Sequence, residues 1–412
     1  MPTTINRPVS TEAEDILAEL VEQGPHPDPY PLYDRLRAIS PVIYSERLGK
    51  WYVTGFDTVA EVHQKHQALA QGETPAPMLD PRYHDSVYLQ FLPRMTPWID
   101  QPRHTRLRNL FGPAFTPRRI SNMEASIQRR VDTLLDAAER KDQVDFVRDV
   151  AESVPISTIC DLLGLPEEIK GIGLEWAQEM ADLILVPLGV LDEDGLARGD
   201  RVIAQSTAYF EEVIADREAN PGDDLLSAFV QAEKDGDRMT SEEMVSLAFQ
   251  LFIAASDTSV TTMSVGLQWL LRNPDQLALL RGDPSLDRPA VDEYLRYDPP
   301  VQVNLSRLAV ADCEIGGVAI PKGDLVNPVI GAANRDPASF EDPHRFDITR
   351  RPQHLAFGRG IHTCVGAPLA RLQVGIAVGT TVRRYPDLAF AGEPLLRGSA
   401  GLRALESLPV SL

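Results

Sequence analysis

The longest helical pattern in these 412 residues begins at Ser241 and ends at Asn273-Pro274, and it limits the fold more than any other feature. Thr240 with Glu243 forms a capping box at its start, and Pro274 cannot continue the hydrogen-bond ladder at its end. About thirty residues at ~1.5 Å rise each span roughly 50 Å, enough to cross a whole domain, so the helix has to be largely buried. Its middle, Ala254-Ala255-Ser256-Asp257-Thr258, departs from these apolar surroundings. Small side chains there admit a ligand close to the backbone. A buried carboxylate is costly unless paired, so Asp257 needs a partner or a task. A threonine hydroxyl can bond the carbonyl four residues back, here that of Ala254, which weakens the ladder, bends the helix and opens room for water. On this helix alone the pair is explained equally well by an Asp257 that faces solvent or meets a distant arginine and a Thr258 that merely satisfies itself.

A second segment, Phe357-Gly358-Arg359-Gly360-Ile361-His362-Thr363-Cys364-Val365-Gly366, sets one cysteine between a glycine-punctuated loop and the start of another helical pattern. Gly358 and Gly360 permit a tight turn that brings backbone near a large flat ligand, and Gly366 lets the following helix approach the same ligand. At a helix N-terminus Cys364 meets unpaired N–H groups and the positive end of the dipole. Both lower a thiol pKa and suit a permanent thiolate bound to a metal. Without such context a cysteine is more often a small buried apolar residue.

The spacing Phe-x-x-Gly-x-x-x-Cys-x-Gly resembles the haem-binding signature of the cytochrome P450 family, and every defining position is filled. The resemblance implies that Cys364 is the proximal ligand of the iron of haem b, with Phe357, Gly358, His362 and Gly366 around the cofactor. In that role thiolate pushes electron density toward iron and favours O–O cleavage. Ala254 to Thr258 is similar to the family's oxygen-activation motif, in which an acid and an alcohol, here Asp257 and Thr258, relay protons to dioxygen. Ala255 stands where many members carry glycine. Glu293 and Arg296 share a helical face, and such a pair alone is usually a solvated salt bridge. Together with Pro343-x-x-Phe346-x-x-x-Arg350 it resembles the family's buried network of one glutamate and two arginines, which locks the loop before the cysteine. His104 and Arg108, four apart, and Arg307 and His362 match positions that bind the two haem propionates. Imidazole donors and guanidinium forks suit carboxylates geometrically.

The rest of the chain agrees with a mainly α fold carrying a small β region, the cytochrome P450 fold, with the long central helix over the haem. Thr11 with Glu14 reads as a capping box opening a short helix to about Glu22, and Asp57 as an N-cap. Val42 to Tyr44 and Trp51 to Val53 read as a hairpin about a Gly49 turn. The stretch from Gly72 to Asp100 is irregular and proline-bearing, which in a compact domain is often functional. Helical patterns dominate from Pro102 to Asn273. Strand-like runs return at Val301 to Ala309, Cys313 to Ile320, Leu325 to Ile330 and Ser407 to Leu412. No linker or repeat divides the sequence, so residues 1–412 are expected to form a single domain, the first ~25 residues partly a tail or short helix.

Forty basic against sixty acidic residues leave a formal charge of -20, which disfavours nucleic acid and anionic membranes as partners. No signal-like N-terminus and no stretch of membrane-span length is read, and Cys160, Cys313 and Cys364 show no disulfide density, so a cytoplasmic chain is expected. No Gly-x-Gly-x-x-Gly opens a helix. The resemblance therefore implies electrons from a separate ferredoxin or flavodoxin with its reductase. Arg103, Arg106, Arg118, Arg119, Arg359 and Arg371 either gather on the cysteine side and steer an acidic carrier in or are scattered solvated charges. It also implies use of O2 to hydroxylate, epoxidise or oxidatively dealkylate a small-to-medium hydrophobic molecule. By family topology the substrate lining draws on Phe91, Leu92, Met180, Leu183, Ile184, Phe252, Ala254, Val301, Val303 and Asn304. The alternatives are a peroxide-driven peroxygenase, which usually lacks the acid and alcohol pair, and a non-catalytic recruitment scaffold, which would tolerate loss of Cys364.

Overall fold

A computed structural model describes residues 10–22, 26–71, 80–184, 191–234, 236–398 and 401–412. Expectations that fall on residues 1–9, 72–79 and 185–190 lie outside the described residues; they concern the N-terminal tail, the start of the irregular stretch and the end of an apolar segment thought to line the substrate site. Helices of nine or more residues are α1 (Thr11–Glu22), α2 (Tyr30–Ile39), α3 (Phe56–Gln64), α4 (Arg103–Phe111), α5 (Glu124–Ala138), α6 (Ser153–Leu163), α7 (Ile169–Ile184), α8 (Glu193–Ala219), α9 (Ser241–Arg272), α10 (Pro274–Gly282), α11 (Asp287–Tyr297) and α12 (Ala367–Arg384). Helix far outweighs strand, as the periodicities predict.

The central helix α9 runs 32 residues without interruption. Its capping box is reciprocal: Glu243 N donates to Thr240 Oγ1 at 3.2 Å, and Thr240 N donates to Glu243 Oε2 at 3.0 Å. Pro274 ends it and starts α10. Helices α6, α7, α8, α11 and α12 pack around it. Close approach of α11 depends on Gly266, where an added Cβ would lie 2.5 Å from the Tyr294 ring. By length and composition α9 is apolar enough to cross a membrane, which corrects the expectation that no stretch reaches that length. Its window is 83% buried inside the protein, the mark of a core helix.

Two other expectations shift by a residue. The side chain of Ser10, not Thr11, caps α1 by accepting from Ala13 N at 3.4 Å. Glu14 instead reaches across to Ser45 Oγ and Glu46 N, both at 2.6 Å. Likewise α3 starts at Phe56 with Gly55 as its N-cap, and Asp57 falls in the first turn.

Five strands form the main sheet: β1 (Val42–Ser45), β2 (Lys50–Val53), β3 (Leu69–Ala70), β4 (Arg307–Ala309) and β5 (Leu325–Pro328), in the order β1-β2-β5-β4-β3. The expected hairpin pairs Val42 with Val53 and Tyr44 with Trp51. Residues Val301 and Val303 make isolated bridges to Leu402 and Val329 rather than a continuous strand. Two further strands, β6 (Leu395–Gly398) and β7 (Arg403–Ser407), pair antiparallel. The sequence pattern did not reveal that pair, because its strands are short and carry arginines inward.

Candidate active site

Cys364 lies between a short 3-10 turn, Gly360–His362, and the first residue of α12. Positive φ at Gly358 (68°) and Gly360 (76°) folds the loop back on itself, so that Cys364 N donates to Phe357 O at 2.9 Å. At Gly360 nothing larger fits: a Cβ would stand 2.9 Å from the carbonyl oxygen of His63 at the end of α3. The sulfur is accessible from a cavity of about 320 Å³, yet the protein on its other sides desolvates it. That burial pushes the thiol up, opposed by the N–H groups of Gly366 and Ala367 and the charges of Arg108 and Arg371. The helix terminus pulls as expected, but in the protein alone it does not win.

Facing Cys364 across the cavity is the middle of α9. Within an otherwise buried stretch Ala254 is exposed to the cavity, while Ala255 and Thr258 are half-buried. Thr258 Oγ1 donates to Ala254 O at 2.9 Å, as its spacing predicts. Asp257, one residue earlier, faces another way. It lines a second cavity of about 700 Å³, walled by charged residues of α7 and α8 and by Arg397 of β6. Arg397 donates from Nη2 to Asp257 and from Nη1 to Asp182 at 2.9 Å. Burial raises the Asp257 pKa, and Arg397 opposes that rise without cancelling it. The acid and the alcohol thus line different cavities from adjacent positions on one helix, and Arg397 is a partner that sequence reading missed.

A ring of nitrogen donors closes one side of the same cavity: His63, His104, Arg108, Arg307 and His362. Arg307 is fully buried, and its Nε and Nη1 have no partner among the described residues. Both ring nitrogens of His63, Nδ1 of His104 and Nε2 of His362 are likewise buried without one. Desolvation holds the imidazoles of His63, His104 and His362 neutral, lowering them to about 3, 4 and 2, with nearby arginines adding to it. Burial pulls Arg307 down to about 10. Orphaned donors of this kind fit an anionic ligand. His63 was not anticipated, though it sits four residues after Val59 on the buried face of α3, where an imidazole requires a partner.

Behind the loop, Glu293 and Arg296 form a bidentate pair at 2.7 and 2.8 Å with both side chains fully buried. Arg350 Nε lies 3.8 Å from Glu293, and Asp347 N donates to the same carboxylate at 2.9 Å. Arg296 also binds the carbonyls of Asn334, Pro343 and Arg345. Asn334 in turn accepts from Leu355 N at 2.8 Å, two residues before Phe357. An unbroken chain of hydrogen bonds therefore runs from α11 to the cysteine loop.

Of the residues proposed to line a substrate site, Ala254, Val301 and Asn304 line the cavity. Phe91, Leu92, Met180, Leu183 and Phe252 are instead buried in the main apolar core, and Ile184 packs against that core. Val303 packs against a separate cluster with α1 and α2. Family topology put these segments near the cavity but not which side chains turn inward. Four of the six surface arginines are held by acids: Arg103 by Glu243, Arg106 by Asp237 and Glu243, Arg119 by Asp223, and Arg371 by Asp292. Arg118 and Arg359 are exposed.

A cysteine in a glycine-shaped loop, a small-residue window in a buried helix and anion-seeking donors on one side share one cavity, the arrangement that the cytochrome P450 resemblance leads one to expect. Comparison with known proteins agrees. The cytochrome P450 family model matches residues 197–283 and 287–388. The biotin biosynthesis cytochrome P450 of Bacillus subtilis is 38% identical over 93% of this chain and 96% of its own. The 6-deoxyerythronolide B hydroxylase of Saccharopolyspora erythraea is 36% identical over 94% of this chain and 96% of its own. Among solved structures, P450BioI in complex with an acyl carrier protein carrying hexadec-9Z-enoic acid superimposes with a TM-score of 0.86 at 37% identity, covering 93% of this chain and 98% of that one. The chain belongs to the cytochrome P450 family and is a monooxygenase, an oxidoreductase whose family cofactor is haem iron.

Replacing Glu293 by Ala leaves the buried Arg296 guanidinium without its carboxylate, a loss of about 3–5 kcal/mol. We expect a lower denaturation midpoint and little haem per protein; normal haem content would contradict the role of the network. Asp257 gives a pH test. Because its folded pKa is raised, its stabilising protonated form is fully present below the unfolded value of 3.8 and is lost as pH rises through the folded value. Asp257→Asn, which cannot ionise and leaves Arg397 with Asp182, should melt higher than wild type at neutral pH, with the advantage shrinking as the medium is acidified. A lower melting temperature at neutral pH would show that the pair with Arg397 outweighs burial.

Proposed function

We propose that this protein is a cytoplasmic haem b monooxygenase, folded as one domain, which uses dioxygen and electrons from a separate ferredoxin or flavodoxin and its reductase to hydroxylate, epoxidise or oxidatively dealkylate a small-to-medium hydrophobic molecule. The observation that carries the reading is that Cys364 and the Ala254, Ala255 and Thr258 face of α9 look into one cavity. When bound, haem iron supplies activation of dioxygen and accepts the electrons.

The residues around it divide the remaining work. Cys364 would hold the iron through its sulfur, and binding a metal ion would remove the burial cost that otherwise favours the thiol. Arg108 and Arg307 would bring positive charge to balance two propionates, and His63, His104 and His362 would offer ring N–H donors to them. The apolar wall holds substrate and excludes water. Asp257 takes up protons in the polar cavity, and the Thr258 hydroxyl, once it turns away from Ala254 O, presents one toward the cofactor cavity. Keeping this acid and alcohol favours dioxygen over peroxide as the oxidant. With four of the six arginines neutralised, long-range steering of an acidic carrier falls to Arg118 and Arg359, so docking by short-range contact matters more than net charge.

Thr258→Ala removes the hydroxyl and keeps the helix. With reductase, carrier and a turned-over ligand present, peroxide should become the main product of electron consumption and oxidised product should fall by roughly a hundredfold. Unchanged coupling of electrons to product would contradict the relay.

A further inference from the structure

Gln250 lies one turn before Ala254 and two turns before Thr258 on α9, and like them it lines the cofactor cavity. Its side chain is 9% exposed. The carboxamide oxygen is committed within the protein: it accepts from Thr96 N at 2.7 Å and from Thr96 Oγ1 at 2.8 Å. A backbone N–H at that distance fixes which end of the amide is oxygen. The NH2 end is left on the cavity side with no partner among the described residues.

Asn304 repeats the arrangement from the loop before β4. Its Oδ1 accepts from Leu305 N at 2.8 Å, and its NH2 group is likewise left for the cavity that it lines. The hydroxyls of the same wall donate inward instead: Thr96 to Gln250, Thr258 to Ala254 O at 2.9 Å and Thr262 to Thr258 O at 2.7 Å. Around these groups the wall is apolar, formed by Pro97, Leu251, Ala254, Val301 and Leu305. Amide N–H groups facing such a space lose their water when substrate enters, so a substrate without an acceptor pays for their desolvation.

We infer that Gln250, with Asn304, selects substrates bearing a neutral oxygen acceptor such as a ketone, ester or lactone carbonyl, held roughly 12 Å along α9 from Thr258. The inference rests on this cavity being the substrate site. It explains why two amides are tied down by their oxygens, which orients both NH2 groups and lowers the entropy lost on binding.

The test uses the haem-loaded full chain and a matched pair of probes, 4-phenylcyclohexanone and phenylcyclohexane, with dissociation constants from calorimetry and from the shift of the haem absorption band. Gln250→Glu and Asn304→Asp, assayed at mildly alkaline pH so that the carboxylates are ionised and carry no O–H donor, keep the oxygen that Thr96 or Leu305 requires and remove the NH2 donor, so fold and haem content are expected to hold. The affinity ratio of ketone to hydrocarbon should fall roughly tenfold in Gln250→Glu, and less in Asn304→Asp. A ratio unchanged from wild type in both variants overturns the inference and leaves the substrate cavity standing. Binding of neither probe by the wild type overturns the cavity assignment itself.

Discussion

Burial alone drives the Cys364 thiol toward its protonated form, and whatever holds it as thiolate has to come from outside its own residue. Two backbone N–H groups at the start of α12 and the charges of Arg108 and Arg371 supply part of that pull. They converge only because Gly358 and Gly360 fold the loop and because Gly360 seats against the His63 carbonyl. The buried Glu293 and Arg296 pair, through Asn334 and Leu355, sets where the loop begins. The fold is therefore organised around presenting one sulfur to a cavity, and in the function proposed above a bound metal would complete what the helix terminus and arginines start.

Helix α9 separates two electrostatic environments. On the cofactor side are small side chains, a hydroxyl and apolar walls; on the other is a polar cavity where Asp257 meets Arg397 and Asp182. A guanidinium always carries its proton and cannot relay one, so while Arg397 holds Asp257 it tempers the acid rather than extending the path. The same helix that shields the reaction space from bulk water thus places one titratable group at its outer boundary.

Much of this is legible in the sequence. The capping box of α9, its stop at Pro274, the hairpin around Gly49 and the loop spacing around Cys364 depend on residues near one another in sequence. Longer-range contacts were less accessible. The partner of Asp257 is an arginine 140 residues away on a short strand, and periodicity gives no sign of it. The same distance hides which side chains turn toward the cavity: Phe91, Met180 and Phe252 are large and apolar, and they pack in the main core. The better clue was polar. Gln250 shares a helical face with Ala254 and Thr258, and an amide amid apolar residues signals a specific contact.

Iron-edge X-ray absorption on the purified, haem-loaded protein tests the central claim most directly. The account predicts a single sulfur scatterer in the first shell of iron, lost when Cys364 is replaced by Ser. A first shell of nitrogen and oxygen alone in the wild type, or a sulfur that persists in the Ser variant, would contradict it.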